Sequence, residues 1–153
     1  MEAVEIYTDG SCKGNPGPGG WAAIIIVSDK KIRISGFEKD TTNNRMELLA
    51  ALKALQSLRN PTQVNLHSDS SYLINGMNEW LISWKKRYWK TSAKKPVKNI
   101  DLWQELDKMN NKHDVKWSWV KAHNNQVINE ECDTIAKLEI ERNTKDEESD
   151  KKK

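Results

Sequence analysis

The sequence has no long apolar run and only two cysteines among its 153 residues, and both shortages exclude classes of protein. No apolar run approaches the roughly 20 residues that a transmembrane helix needs. Cys12 and Cys132 lack the spacing of a metal site, and a disulfide between them is not expected in a reducing compartment. Residues 1–4 show neither a signal nor a transit pattern, so the sequence predicts a cytoplasmic location.

Acidic residues are also missing between Glu79 and Asp101. This interval, whose charged part we call the basic segment (residues 85–98), carries seven basic side chains: Lys85, Lys86, Arg87, Lys90, Lys94, Lys95 and Lys98. The whole chain has a net charge of +3, so the remainder carries −4. The basic charge is therefore local, which favours a docking surface for a polyanion.

Hydrophobic patterning predicts the element order β-β-β-α-β-α-α-β-α in a single α/β domain. Strands at 4–8, 21–27 and 31–37 form an antiparallel meander, and the Pro/Gly-rich residues 15–20 form a loop. The next helix, with Leu48, Ala51, Leu52, Leu55 and Leu58 at helical spacing, is capped by Thr42 or Asn43 and ends before Pro61.

The later elements follow the same alternation of strand and helix. They are a strand at 64–68, a helical stretch at 70–87 broken near Gly76, a basic loop at 91–98, a helix at 99–111 capped by Asn99, a strand at 115–121 and a helix at 128–141. The domain spans residues 1–142, and the charged residues 143–153 are predicted to form a disordered tail.

Two of the strands end in similar sequences, IYTDGS at 6–11 and LHSDSS at 66–71. Asp9 and Asp69 each lie five residues after the start of their strand, at Val4 and Val64. If a strand–helix–strand connection makes these strands parallel neighbours, both carboxylates lie at one sheet edge, where open α/β sheets bind ligands.

Such a pair of carboxylates is costly unless a cation binds between them. At a separation of about 4 Å they repel by roughly 4 kcal/mol at an effective dielectric near 20. Hard oxygen ligands select Mg²⁺ or Mn²⁺, and together with the basic segment they favour phosphoryl chemistry on a nucleic acid. The alternative is that Asp69 merely caps the following helix and Asp9 the following turn.

Five segments resemble bacterial ribonuclease H of type 1. They are YTDGSCKGNPGPGG (7–20), TTNNRMEL (41–48), SDSSY (68–72), WKKRYWKTSAKKPVKNIDLW (84–103) and VKAH with NEECD (120–133). The resemblance implies a ribonuclease H-like fold, with a five-stranded mixed sheet in the order 3-2-1-4-5 and helices on both faces. It also implies an endoribonuclease that hydrolyses the RNA strand of RNA/DNA hybrids, and the short chain predicts a monomer. The expected products carry 3′-hydroxyl and 5′-phosphate ends, and the expected task is removal of RNA primers and R-loops.

The family's catalytic residues match five positions of this sequence, Asp9, Glu47, Asp69, His123 and Asp133. The resemblance implies that the four carboxylates hold two Mg²⁺ ions, for which Mn²⁺ can substitute, with Asp9 bridging both. Two such ions can hold the attacking and leaving oxygens of an in-line displacement. The reference pKa of His123, near ~6.5, suits proton transfer or assistance to product departure.

The resemblance also implies a set of residues that contact the hybrid. The set comprises Gly10, Ser11, Cys12, Asn15, Thr42, Asn43, Asn44, Ser71, Trp80, Trp84, Lys85, Lys86, Arg87, Trp89, Lys94, Lys95 and Asn99. Thr42 and Asn99 match residues that hold a DNA-strand phosphate. Trp80 and Trp103 are expected to pack the basic protrusion together, whereas the edge of Trp84 contacts a deoxyribose. We attribute Gly10 to close approach of the backbone to the minor groove.

Three positions depart from the family pattern. Asp40 stands where related enzymes often carry arginine, so its charge should weaken the grip on the phosphate. Ser71 replaces a glutamine that contacts the hybrid. The loop at 122–129 lacks the usual glycines and proline, which should affect turnover before cleavage chemistry.

Two other functions remain as alternatives. A nucleic-acid binding module that has lost catalysis would not need four intact carboxylates. A DNA strand-transfer enzyme shares the carboxylates on a sheet, but the set Asn15, Asn43 and Asn44 and the basic segment favour a hybrid. Fold alone does not separate these functions.

Overall fold

The computed structural model describes residues 3–121 and 127–151, with side chains through Lys145. The strands are β1 (Val4–Cys12), β2 (Gly17–Val27), β3 (Lys30–Thr41), β4 (Gln63–Ser68) and β5 (Asp114–Trp119). The helices are α1 (Asn43–Gln56), α2 (Ser71–Asn75), a π-helical segment (Gly76–Trp80), α3 (Leu81–Lys86), α4 (Ile100–Lys112) and α5 (Val127–Lys151). Each of these described helices is too short or too polar to cross a bilayer.

The five strands form one mixed sheet in the order β3-β2-β1-β4-β5, as predicted. β1 pairs antiparallel with β2, and β2 with β3, whereas β1–β4 and β4–β5 are parallel. Val4 pairs with Val64. Because the two strands run in the same direction from this pair, Asp9 and Asp69 reach the same edge, which confirms the prediction from their equal spacing.

Helices cover both faces of the sheet, and β2 shows this most directly because successive residues of a strand point to opposite faces. Trp21 packs against Met46 and Ala50 of α1. On the other face, a Cβ atom on Gly20 would overlap the carbonyl of Ala136 in α5. Residues 17–20 form a strand because they pair with β1 and β3, where the Pro/Gly composition predicted a loop.

Residues 71–86 remain helical throughout, although the sequence predicted a break near Gly76. The hydrogen bonding instead changes from α to π at Gly76, whose backbone stays in the right-handed helical region. A Cβ atom on Gly76 would overlap the indole of Trp103, which is fully buried. The glycine therefore admits a core tryptophan without ending the helix.

Two helix ends differ from the predictions. Asn99 precedes α4 with a left-handed φ of 60° and makes no side-chain capping bond; its carboxamide binds Arg45 and Tyr72 instead. α5 continues through Lys151, where the composition predicted a disordered tail from residue 143. Lys and Glu favour helix, and Lys145 pairs with Glu141 one turn earlier. The domain boundary at residue 142 stays a prediction.

Candidate active site

Three carboxylates meet at the carboxyl ends of β1 and β4. Asp9 lies in β1, Asp69 follows β4, and Glu47 enters from the second turn of α1. Each offers one oxygen such that these oxygens lie within 4.8 Å of one another. We call this cluster the acidic edge.

The acidic edge is largely shielded from water, with Asp9 6% and Glu47 4% exposed. Burial, followed by the charge of Asp69, raises the pKa of Asp9 to about 7. Burial, followed by the charge of Asp9, raises the pKa of Glu47 well above its ordinary value. Without a cation, the cluster therefore favours bound protons.

Hydrogen bonds orient two of the carboxylates but leave one oxygen free. The backbone N–H of Gly10 donates to Glu47 Oε1 at 3.0 Å and to Asp9 Oδ1 at 2.9 Å. Glu47 Oε2 is buried without a hydrogen-bond partner among the described residues. An unpaired buried oxygen among carboxylates suits a divalent cation, so these residues fit a metal ion.

Gly10 is required by the fold at this point. A Cβ atom there would overlap the backbone of Met46 and Glu47. The missing side chain thus allows α1 to approach β1 closely enough for the Gly10 N–H to reach Glu47. Sequence reasoning attributed this glycine to the substrate because the approach of α1 has no signature in the local sequence.

Asp133 lies in the second turn of α5 and lines the same cleft as the acidic edge. Its Oδ2 pairs with Lys137 Nζ at 2.9 Å, and the nearby charge of Asp133 contributes to the raised pKa of Asp9. The predicted fourth carboxylate therefore lies beside the other three. His123 lies outside the described residues.

The cleft has a volume of about 390 Å³ and polar walls. Predicted contact residues that line it are Gly10, Ser11, Asn43, Asn44 and Ser71. Asn15 lies next to them, because its Oδ1 accepts a hydrogen bond from Asn43 N at 3.1 Å. Cys12 is not among the residues lining this cleft, and its thiol donates to the carbonyls of Gly17 and Thr41 at 3.5 and 3.4 Å.

The predicted phosphate-binding residues lie at the starts of two helices. Thr42 caps α1, with Oγ1 accepting from Arg45 N at 3.2 Å. Asn99 Oδ1 accepts from the Arg45 guanidinium at 3.1 Å, and the same guanidinium pairs with Asp101 at 2.8 Å. Arg45 therefore ties α1 to α4. It was missed in the sequence although it lies inside the quoted TTNNRMEL segment.

Aromatic rings form the base of the basic segment. Trp103 lies 5.1 Å from Trp84 and 5.3 Å from Tyr72 between ring centroids, and Trp80 lies 5.8 Å from Tyr72. Trp103 is fully buried, so its predicted packing role is confirmed. Trp89 packs against the same core, and its backbone N–H donates to the Trp84 carbonyl at 2.7 Å.

All seven basic side chains of the segment are exposed. Lys85, Lys86 and Arg87 lie at the end of α3, and Lys94 and Lys95 lie in the turn that follows. Lys85 pairs with Asp107 at 3.2 Å. The segment thus presents positive charge to solvent above an aromatic base.

One residue next to the acidic edge was missed entirely. The indole N–H of Trp119 donates to the backbone carbonyl of Asp69 at 3.2 Å, although the side chain is 55% exposed. Val120 N also donates to Ser68 O at 2.9 Å. Together these bonds fix the end of β4. The VKWSWVK pattern indicated a strand but not which tryptophan leaves the core.

Comparison with known proteins agrees with this geometry. A family model described as RNase H matches residues 1–141. Ribonuclease H of Acetivibrio thermocellus is 54% identical over 146 residues, which cover 95% of this chain and 99% of that protein.

Solved structures show the same fold. LC9-RNase H1, described as a type 1 RNase H with the type 2 active-site motif, superposes with a TM-score of 0.80 at 30% identity, covering 92% of this chain and 74% of that chain. LC11-RNase H1, solved in complex with an RNA/DNA hybrid, superposes with a TM-score of 0.72 at 20% identity, covering 92% and 99% of the two chains. The family match, the relative of 54% identity and the placement of the carboxylates show that the chain belongs to the RNase H family.

Proposed function

We propose that this protein is an endoribonuclease that hydrolyses the RNA strand of RNA/DNA hybrids and leaves 3′-hydroxyl and 5′-phosphate ends. The observation that carries the proposal is the acidic edge, where Asp9, Glu47 and Asp69 bring carboxylate oxygens within 4.8 Å of one another. LC11-RNase H1, solved in complex with an RNA/DNA hybrid, has the same overall fold.

The proposed cofactor is Mg²⁺, with two ions in the catalytic complex and Mn²⁺ as a substitute. Asp9, Glu47, Asp69 and Asp133 would hold the ions. When bound, divalent ions lower the pKa of a water and neutralise charge that develops on the phosphate and the leaving oxygen. The unpartnered Glu47 Oε2 supports this assignment because it needs a positive partner.

The protein's part in the reaction is to fix the carboxylates before substrate arrives. The Gly10 N–H holds Glu47 Oε1 and Asp9 Oδ1 together, and Trp119 and Val120 hold the backbone on either side of the β4 end. Preorganised groups of this kind avoid reorganisation at the moment of reaction. In the proposal, His123 transfers a proton or assists departure of the product.

The hybrid is proposed to lie with its RNA strand in the cleft and its DNA strand toward α4 and the basic segment. Ser11, Asn43 and Asn44 line the cleft and can hydrogen-bond to sugar hydroxyls and base edges. Thr42 and Asn99 hold a phosphate of the DNA strand, and Trp84 contacts a deoxyribose. Exposed lysines neutralise further phosphates, so binding should weaken with salt.

Three positions that depart from the family pattern are proposed to alter hybrid binding or turnover. Asp40 is exposed on β3, where a carboxylate would repel a nearby phosphate. Ser71 lines the cleft with a side chain shorter than glutamine, so its contact with the hybrid is reduced. The changes at 122–129 fall mainly on residues outside those described, and their proposed effect is on turnover.

The remaining elements of the proposal concern the cell. We propose a monomer that acts in the cytoplasm and removes RNA primers and R-loops. The two thiols, Cys12 and Cys132, are free, which suits a reducing compartment.

A strand-labelled cleavage assay tests the proposed function. An RNA/DNA hybrid, single-stranded RNA, duplex RNA and duplex DNA are each incubated with the enzyme and Mg²⁺. We expect cleavage of the RNA strand of the hybrid alone, with 5′-phosphate ends on the new fragments. Binding of the hybrid without cleavage in Mg²⁺ or Mn²⁺ would instead support a binding module, and joining of DNA strands would support strand transfer.

A further inference from the structure

Tyr88, inside the basic segment, is an aromatic residue that the proposed function has not used. It is 86% exposed. Among the residues that the structure describes, its ring stacks on no other ring and its hydroxyl makes no hydrogen bond. The side chain therefore contributes little to the packing of the fold.

The backbone at Tyr88 is left-handed, with a φ of 55°. This residue ends α3, because its N–H donates to the Lys85 carbonyl at 3.4 Å and the next N–H, of Trp89, donates to the Trp84 carbonyl at 2.7 Å. Helices that end in this way usually place glycine at the left-handed position, where a bulky side chain is disfavoured. Tyr88 thus strains the backbone without gaining burial, which points to a role in binding.

The residues that follow hold Tyr88 on an ordered support. Trp89 packs against the core, and its carbonyl accepts a hydrogen bond from the buried Val97 at 3.2 Å. Lys90 pairs with Pro96 in an isolated bridge. An exposed ring on a fixed backbone loses little conformational freedom when a ligand binds.

The charges around Tyr88 are all positive in the sequence. Lys86, Arg87 and Lys90 are exposed neighbours, and no acidic residue lies between Glu79 and Asp101. Aromatic rings among basic side chains are typical of surfaces that bind single-stranded nucleic acid, because rings stack on bases and cations neutralise phosphates. The bases inside a duplex already stack on one another, so the ring is suited to an unpaired base.

We propose that Tyr88 stacks on an unpaired base of single-stranded DNA that continues beyond the hybrid. The inference rests on the proposed function, in which the DNA strand of the hybrid lies toward α4 and the basic segment. The exposed cations beside Tyr88 contact phosphates of the same strand. The enzyme therefore binds a hybrid that continues into single-stranded DNA more tightly than a hybrid with blunt ends.

The test compares a blunt hybrid with the same hybrid carrying about ten unpaired thymidines at the 5′ or the 3′ end of its DNA strand. KM and kcat are measured with Mg²⁺, and Kd is measured by fluorescence anisotropy in EDTA. For wild type, we expect one of the two extensions to lower KM and Kd about fivefold or more and to leave kcat unchanged.

Tyr88→Gly should lose most of this gain and keep its KM for the blunt hybrid within twofold of wild type. Its melting temperature should be unchanged or higher, because glycine adopts a positive φ without strain. Tyr88→Asn, which tolerates the same backbone without a ring, should also lose the gain, whereas Tyr88→Phe should keep it. Ile82→Ala, which removes an exposed apolar side chain from α3, is the control and should behave as wild type. On an extension of abasic sugars, wild type and Tyr88→Gly should have equal Kd values.

Three results overturn the inference. The first is equal Kd values of wild type and Tyr88→Gly for both extended hybrids. The second is a loss in Tyr88→Phe as large as in Tyr88→Gly, which would assign the contact to the hydroxyl. The third is an equal loss in Tyr88→Gly on the blunt, abasic and thymidine substrates, which would assign the contact to the duplex. Failure of the wild type to cut any hybrid overturns the proposed function itself, whereas the anisotropy measurement needs no cleavage and tests Tyr88 alone.

Discussion

The acidic edge and the basic segment carry charges of opposite sign, and they differ in how far these charges are exposed to solvent. In the acidic edge, Asp9 and Glu47 are almost completely buried and their pKa values are raised. In the basic segment, the lysines and Arg87 are exposed on an aromatic base. Buried carboxylates can direct several oxygens at one small cation, but their burial lowers the stability of the fold. Exposed basic side chains can contact successive phosphates of a polymer at little cost in stability. The two regions are therefore suited to different ligands, a cation and a nucleic acid.

Asp9→Asn should have the largest effect of the variants considered, because it removes a buried carboxylate from the acidic edge. We expect kcat on the hybrid to fall by about 10³-fold or more, while the Kd for the hybrid stays within a few fold. Above pH 7, where Asp9 is ionised, the same variant should raise the melting temperature in EDTA by about 5 °C or more, since one repulsive charge is gone. Asp29→Asn, in the turn between β2 and β3, is the control. A variant that loses activity and stability together would contradict this assignment.

The pH dependence of stability reports the raised pKa of the buried Asp9 carboxyl. The pKa of Asp9 is about 7 in the folded protein, against roughly 3.9 in an unfolded chain. Between these values the folded state holds a proton that the unfolded state releases. In EDTA this group therefore makes the free energy of unfolding fall as pH rises from about 4 to 7, by up to a few kcal/mol.

His113 acts in the opposite sense, because burial lowers its pKa and its protonation destabilises the fold below pH ~6.5. Urea unfolding of wild type and Asp9→Asn at pH 5 to 8, with EDTA or Mg²⁺, separates the two contributions. We expect the decline with rising pH to be steeper in wild type than in Asp9→Asn, and to be reduced by Mg²⁺. Identical profiles for the two proteins would contradict the burial of a high-pKa carboxyl.

Charge removal from the basic segment should alter binding without altering chemistry. We expect Lys94→Gln/Lys95→Gln to raise KM for the hybrid by about three- to tenfold at low salt and to leave kcat unchanged. The slope of log Kd against log salt should fall by about 2, one for each lost phosphate contact. Lys30→Gln, which changes an exposed lysine at the start of β3, should change neither quantity. An unchanged salt slope in the double variant would place the hybrid elsewhere.

Asp40 places a negative charge on the proposed substrate side, and its removal gives the smallest expected effect. We expect Asp40→Asn to lower the Kd for the hybrid about two- to threefold at low salt, the scale of one exposed charge. High salt should remove the difference because exposed charges are screened. Equal affinities of wild type and Asp40→Asn at both salt concentrations would show that this carboxylate is remote from the phosphates.

Much of the fold was predictable because local patterns carry it. Val4 and Val64 pair as the equal spacing of Asp9 and Asp69 required, and Thr42 caps α1. Failures occurred where a distant element decides the local structure. Residues 17–20 form a strand because they pair with the distant strand β3 as well as with β1, and Gly76 leaves room for the indole of Trp103.

The candidate site shows the same division. The strand pattern predicted that Asp9 and Asp69 lie together, and the resemblance to the family predicted that Glu47 and Asp133 join them. Contacts that orient these groups were not predictable, because Gly10 N to Glu47 Oε1 spans 37 residues and Trp119 to Asp69 spans 50.

The most direct test of the central claim is a Mn²⁺ titration followed by electron paramagnetic resonance, which measures free ion. The acidic edge, and not the rest of the protein, should hold the cation. We therefore expect binding by wild type and by Lys94→Gln/Lys95→Gln, and a loss of most binding in Asp9→Asn. Equal binding by wild type and Asp9→Asn would contradict the claim that the buried carboxylates form the cation site.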